Sequence, residues 1–307
     1  MLIDTIVDFC DKKYTTLAEK CGNDKCTHPS GKCSGSCYNC LHQIHENFYD
    51  AKLRKKDEKL VYDCPKMMYQ YVCQFSYLYS SEIQHAFIEK KDYLKDYPYF
   101  HILSLGCGAG VDLMAFESFY KNEKLDKPIS YLGIDNNDNW DNVQRKIEKY
   151  CDENSIKRKF LCDDAFRILR SNAIHDANVI VISYMISYLY NNGQIKEIDK
   201  FIDSIVDNAV LKKKKDQKML IIINDINTYR KGRNYFEDLI KRIKKKNIKE
   251  LNCSYKYFDT GNLYSGQKIG TPYIGPTCLY EVPLDIQLKY RARTSGQQTI
   301  QLIMEVI

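Results

Sequence analysis

Along the last two thirds of the chain, short apolar runs alternate with longer segments whose apolar residues recur every three or four positions. HILSLG (101–106), ISYLGID (129–135), KRKFLCDD (157–164), ANVIVISY (177–184) and KMLIIIND (218–225) read as strands. The apolar runs among them suit strands covered on both faces of a parallel sheet. The intervening segments VDLMAFESFYKNEK (111–124), WDNVQRKIEKYCDEN (140–154), AFRILRSN (165–172), IKEIDKFIDSIVDNAVL (195–211) and YFEDLIKRIKKK (235–246) read as helices. Such alternation implies right-handed crossovers and a doubly wound, mostly parallel α/β sheet. In the tail, SYKYFDT (254–260) and QQTIQLIMEVI (297–307) read as strands six and seven, a terminal β-hairpin around a Gly/Pro-rich loop from Gly261 to Pro276. Residues 1–98 are helical in pattern and rich in tyrosine and cysteine, and the break near Tyr97-Pro98 predicts two units, 1–98 and 99–307.

Composition narrows the setting. The chain of 307 residues is 44% hydrophobic and 28% charged, and no long uncharged apolar run suggests a membrane span. MLIDTIVDFCDKKYTT carries acids inside its apolar stretch and lacks a basic leader, so an intracellular, cytoplasmic protein is expected. The net charge of +6 and the basic runs at 212–215 and 241–246 permit nucleic-acid binding, although lysine runs on helices more often form a solvated face.

The candidate chemistry begins where the first strand ends. LSLGCGAGVDLMAFE sets Gly106, Gly108 and Gly110 between a strand and a helix, where missing Cβ atoms let the backbone turn sharply and approach a ligand. The second strand ends in Asp135, an acid placed to accept hydrogen bonds from ribose hydroxyls. A nicotinamide enzyme uses similar geometry, but its G-x-G-x-x-G pattern needs glycine where this chain has Val111. LGCGAG instead resembles the first motif of class I S-adenosylmethionine (SAM) methyltransferases, and the element order over residues 100–307 resembles their fold, whose seventh strand inserts antiparallel. The resemblance implies SAM as cofactor, held by Gly106, Cys107, Gly108 and Gly110 at its amino-acid part and by Asp135 with Asn136 at its ribose. It further implies an adenine contact from Asp163 or Asp164 in FLCDDAF, Asp163 being preferred, and a contact from Ser183 at the end of strand four. Asp164 is equally suited to cap the next helix, and Asp112 to stabilise the start of its own.

CGNDKCTHPSGKCSGSCYNCLHQIH packs Cys21, Cys26, Cys33, Cys37 and Cys40 into twenty residues. With no export signal, metal ligation is the preferred use, and structural zinc on Cys26, Cys33, Cys37 and Cys40 is expected, with Cys21, His42, His45 and Cys64 as substitutes. Cys33-x3-Cys37-x2-Cys40 also has the spacing of radical SAM enzymes, but those resemble a barrel built after the motif, and this chain continues into a glycine-loop pattern.

Together these features predict a SAM-dependent methyltransferase. The end of strand four, VISYMISYLY (181–190), lacks the Asn/Asp-Pro-Pro-aromatic signature and the Pro-Cys nucleophile of base methylation, and no catalytic base stands out. RNA is the favoured acceptor and partner on charge and tyrosine content; a protein or small-molecule acceptor, and a catalytically silent SAM-binding assembly or sensing protein, are the alternatives. Ser183, Tyr184 and Ser187, the trio Asn224, Asp225 and Asn227 after strand five, and tyrosines of residues 62–94 are further candidates for the cleft.

Overall fold

The computed structural model describes all residues except 19–36, 43–61, 63, 171–175, 215, 228–232, 247, 249, 259–268 and 296–298. Its centre is an eight-stranded sheet of order β3-β2-β1-β4-β5-β8-β6-β7. The strands are β1 (Phe100–Leu105), β2 (Ile129–Asp135), β3 (Lys157–Cys162), β4 (Val179–Ser183), β5 (Met219–Ile226), β6 (Leu251–Tyr257), β7 (Thr271–Pro272) and β8 (Thr299–Val306). Strands β1 to β5 are parallel, and β8 runs antiparallel between β5 and β6. This is the strand order of the class I methyltransferase fold, with the two-residue β7 added at the edge beside β6.

All seven expected strands are present. The tail is more elaborate than a hairpin: β6 and β8 do pair, but β7 and a helix, α11 (Leu284–Tyr290), lie between them in sequence. Pro283 begins that helix with its fixed φ, and Arg291 ends it in a left-handed conformation. The residues read as the end of strand four divide into β4 and the helix α8 (Met185–Asn191).

Alternate strand residues feed two cores. On one face Ile102, Val179, Val181 and Ile222 join α1 (Leu2–Ala18), α3 (Pro65–Glu89), α5 (Val111–Asn122) and α6 (Asp141–Glu153). On the other, Leu103, Ile180, Ile182 and Ile221 meet α7 (Ala165–Leu169), α8, α9 (Ile195–Ser204, continued by a π-helical turn, Ile205–Val210) and α10 (Asn234–Lys244). The alternation follows from the period of two along a strand, and all eight residues of β5 are buried, as expected for a strand covered on both sides.

α3 differs from the outer helices. Nineteen of its 25 residues are buried, so it has almost no solvent face and lies between α1, α5 and the sheet. Its polar residues must therefore find partners: Ser80 Oγ donates to the Val111 carbonyl at 2.9 Å, tying the helix to the start of α5. The hydrophobic core runs unbroken from α1 and α3 across the 98/99 junction into the sheet. Among the described residues no helix is long and apolar enough to cross a membrane.

Candidate functional site

The chain passes outward from β1 to β2 and β3 on one side and to β4 and β5 on the other, so the strand order reverses between β1 and β4. In doubly wound sheets the crevice at the carboxyl ends of such strands is the usual ligand site. Here it holds a cavity of about 70 Å³. Its floor is Gly106, Cys107 and Gly108 after β1 with Ser183 at the end of β4, and its walls include Trp140, Tyr184 and Asn224 together with Tyr71 and Tyr79 from α3.

The glycine loop has a simple cause. Gly106, Gly108 and Gly110 take φ of 71°, 48° and 68°, a left-handed region that costs a residue with Cβ about 1–2 kcal/mol. The N–H groups of Gly106 and Cys107 donate to the Ile134 carbonyl at 2.8 and 3.0 Å, and Gly110 N–H closes the turn on Cys107 O at 2.7 Å. Asp135 then clasps the loop: its carboxylate accepts from Gly108 N–H at 2.8 Å and from Asn137 N–H at 3.0 Å. Burial pushes its pKa up and these two donors oppose the shift. Gln144 of α6 adds a bond to Gly108 O at 3.0 Å.

Gly106, Cys107, Gly108 and Ser183 therefore line the cavity, and Gly110 shapes the loop behind them. Asn136 is exposed just past β2, outside the lining, and the neighbouring Asn137 folds back to accept from Asn139 N–H. Asp163 and Asp164 also stand outside the lining. Asp163 is engaged within the chain: Arg167 Nε donates to its carboxylate at 2.8 Å and Asp164 N–H at 2.7 Å. Asp164 is the N-cap of α7, accepting from Phe166 N–H at 2.7 Å, which is the structural use its position offered. Asp112 is buried in the first turn of α5, receives the Tyr131 hydroxyl at 3.1 Å, and is pushed up to about 6 by burial.

The polar residues after β5 divide by role. Asp225 accepts from Ser187 N–H at 3.1 Å and Ile226 N–H at 2.7 Å, fixing α8 to the sheet, and burial pushes it up to about 6. Asn227 accepts from Arg233 at 2.9 Å. Asn224 alone of the three reaches the cavity, and its Nδ2 has no hydrogen-bond partner; the buried Ser183 Oγ beside it has none either. Buried donors without partners are rare and mark a place where a ligand atom fits.

Sequence reasoning missed three members of this site. Trp140 packs over the loop, with ring atoms 3.5 Å from where a Gly108 Cβ would stand. It also meets Tyr71 edge-on at 5.6 Å. Gln144 is an ordinary helix residue in sequence. Glu82, wholly buried on α3, stands 2.6 Å from the Tyr184 hydroxyl oxygen and accepts the Thr299 hydroxyl at 3.0 Å. A carboxylic acid in the middle of an apolar helix was the available sign.

Of the thiols assigned to zinc, Cys26 and Cys33 lie outside the described residues. Cys37 and Cys40 are buried on one helix, α2 (37–42). Burial pushes the Cys37 thiol up to about 12; Lys66 opposes this, and the neighbouring Cys64 and Cys40 add to it. Among the described residues no three His, Cys, Asp or Glu side chains gather as a metal site.

No protein-family model and no curated protein matches the chain. Solved structures similar to it include the plantazolicin methyltransferase BpumL in complex with SAH, at 14% identity over 97% of this chain and 99% of that one, TM-score 0.40. A SAM dependent methyltransferase from Archaeoglobus fulgidus shares 12% identity over 73% and 94%, TM-score 0.39. A precorrin-6y C5,15-methyltransferase from Geobacter metallireducens GS-15 shares 10% over 67% and 78%, TM-score 0.35. Likenesses this distant decide nothing about the chemistry of this chain. The strand order defines a class I methyltransferase-like α/β domain, and the cavity lies at its topological switch point.

Proposed function

We propose that this chain is a SAM-dependent methyltransferase whose cofactor lies in the switch-point cavity. The observation that carries this is the Gly106–Gly110 loop, held open by Asp135 beneath a cavity whose far rim carries the unpartnered Ser183 Oγ and Asn224 Nδ2. SAM supplies an electrophilic methyl group; the chain's own residues bind it, orient an acceptor in line with it and exclude water. Cys107 and Gly108 with Asp135 form the cofactor side, and Tyr71, Tyr79 and Tyr184 the acceptor side. On this reading the first 98 residues act as a cover that selects the acceptor, since α3 supplies two of the aromatic walls.

The walls favour an acceptor with a flat or apolar body. An RNA acceptor rests on net charge and tyrosine content, and part of the lysine charge is met locally: Lys214 pairs with Asp176, Lys241 with Glu237 and Lys246 with Asp207. Zinc on Cys26, Cys33, Cys37 and Cys40 would act as a structural staple for the N-terminal residues, supported by the two buried thiols of α2. Titration calorimetry with SAM, followed by transfer of a labelled methyl group from SAM into a cell extract, tests the activity. Binding and incorporation that both disappear in Gly108→Arg are expected; binding with no incorporation identifies a silent SAM-binding protein, and no binding sinks the proposal. Metal analysis of the same sample tests the zinc.

A further inference from the structure

Glu82 stands behind Tyr184, which lines the cavity, and its surroundings set a problem of proton counting. Four oxygens of three side chains form a ring: Glu82 Oε2 to Tyr184 Oη at 2.6 Å, Tyr184 Oη to Thr299 Oγ1 at 2.8 Å, and Thr299 Oγ1 to Glu82 Oε1 at 3.0 Å. Each short contact needs one proton, and the two hydroxyls supply two. The third must sit on Glu82. With it the ring closes: Glu82 donates to Tyr184, Tyr184 to Thr299, and Thr299 to the other oxygen of Glu82. If Glu82 were ionised, both hydroxyls would turn to it, and the Tyr184–Thr299 contact would hold two oxygens together with nothing between them.

We propose that Glu82, Tyr184 and Thr299 form a proton-holding ring beside the cavity, through which Tyr184 passes the methyl acceptor's proton to Glu82. The proposal deepens the methyltransferase reading and rests on it. Three further observations support it. Tyr184 lines the cavity at the carboxyl end of β4, where it meets Tyr79 at 4.9 Å between ring centres. It is held in a left-handed conformation at φ 57°, costly for a tyrosine, by its N–H bond to Asn224 O at 2.8 Å. Glu82 has no exposure to solvent.

The groups around Glu82 are Tyr71 and Tyr79 on its own helix, Tyr184 after β4, Asn224 on β5, and Thr299 and Gln301 on β8. Burial pushes its carboxyl up to about 8, and among the described residues only Tyr184 and Thr299 counter this.

In the working cycle Glu82 starts ionised and receives the Tyr184 hydroxyl, which leaves the phenol oxygen able to accept. The acceptor's N–H or O–H bond breaks and its proton goes to Tyr184, whose own proton passes to Glu82. The freed lone pair of the acceptor forms the bond to the methyl carbon, and the S–C electron pair returns to sulfur. Glu82 ends neutral, the state in which the ring closes, and loses its proton to water before the next turnover. Glu82 is thus a positioning residue that acts through Tyr184.

Carbon-13 NMR of glutamate-labelled full-length protein, titrated with base, tests the ring without needing an acceptor. One carboxyl titrating near pH 8, absent from Glu82→Gln, is expected; every carboxyl titrating in the ordinary range near about 4.3 overturns the ring. Glutamine copies the neutral acid, donating to Tyr184 and accepting from Thr299, so the variant is expected to keep a melting temperature near the parent's at about pH 5 and its SAM affinity within about twofold. Incorporation of labelled methyl into extract is expected to rise with pH in the parent chain, and to fall about a hundredfold and lose that rise in Glu82→Gln. A pH profile unmoved by that substitution overturns the transfer role alone. SAM binding with no incorporation at any pH overturns it together with the proposed activity, and loss of SAM binding in the parent chain strikes the activity while the carboxyl titration still judges the ring.

Discussion

The two halves of the cleft are built on opposite plans. On the β1–β2 side nearly every polar group is satisfied before a ligand arrives: Asp135 holds Gly108 and Asn137, and Gln144 holds Gly108. On the β4–β5 side Ser183 and Asn224 present unpartnered atoms, and Glu82 shares protons with two hydroxyls. The first half spends its hydrogen bonds on shape, and the second keeps them for chemistry. A rigid cradle suits a cofactor that is the same in every turnover, whereas exchange of a proton needs groups with two stable states.

The strongest way to break this contrast is Asp135→Ala. It strands two backbone donors whose bonds to a charged acceptor are worth about 1.5–3 kcal/mol each. Urea unfolding is expected to show a loss of about 3 kcal/mol and calorimetry a fall of about a hundredfold in SAM affinity. Unchanged stability would move the loop's support elsewhere. Next comes pH. Glu82 is pushed up to about 8, and Asp112 and Asp225 to about 6, by burial. The folded chain therefore holds more protons than the unfolded chain above about pH 4. Stability should fall as pH rises from there, by about 1 kcal/mol per unit for each group in its window, with the Glu82 share persisting to about pH 8. Thermal melts from pH 5 to 9 measure this, and in Glu82→Gln the decline above pH 6 should be absent.

Two smaller effects sharpen the same division. Ser183→Ala removes a hydroxyl that has no partner, so chemical denaturation should shift by less than about 0.5 kcal/mol while SAM affinity drops about fivefold. Asp163→Asn loosens a pair in which Arg167 is exposed and Asp163 mostly buried, and should cost about 1 kcal/mol. Affinity for SAM is expected to be unaltered; a tenfold loss would return Asp163 to the adenine site.

What the sequence disclosed was whatever depends on neighbours along the chain. β2 falls at 129–135 as its apolar run suggests, and the glycine loop is legible because left-handed turns select glycine locally. The two adjacent acids after β3 look alike in sequence until Arg167, four residues on, is seen to bond one of them, Asp163. Glu82 was invisible for a different reason. Its meaning lies in Tyr184, 102 residues away, and Thr299, 217 residues away, and no periodicity connects them. α11 was missed because seven residues opened by proline carry too little pattern to separate from a loop.

The insertion of β8 between β5 and β6 has a consequence in time. Thr299 and Gln301 reach α3 only when the last strand in the sequence pairs with β5, and β6 joins the sheet only through it. Closing contacts of such sequence separation is slow, because the loop entropy is spent before any contact repays it. The Gly108–Asp135 clasp spans only 27 residues and can form early. During refolding, competence to hold the cofactor should thus precede competence to move a proton, so that the protein passes through a stage at which it grips its donor and has no means of using it.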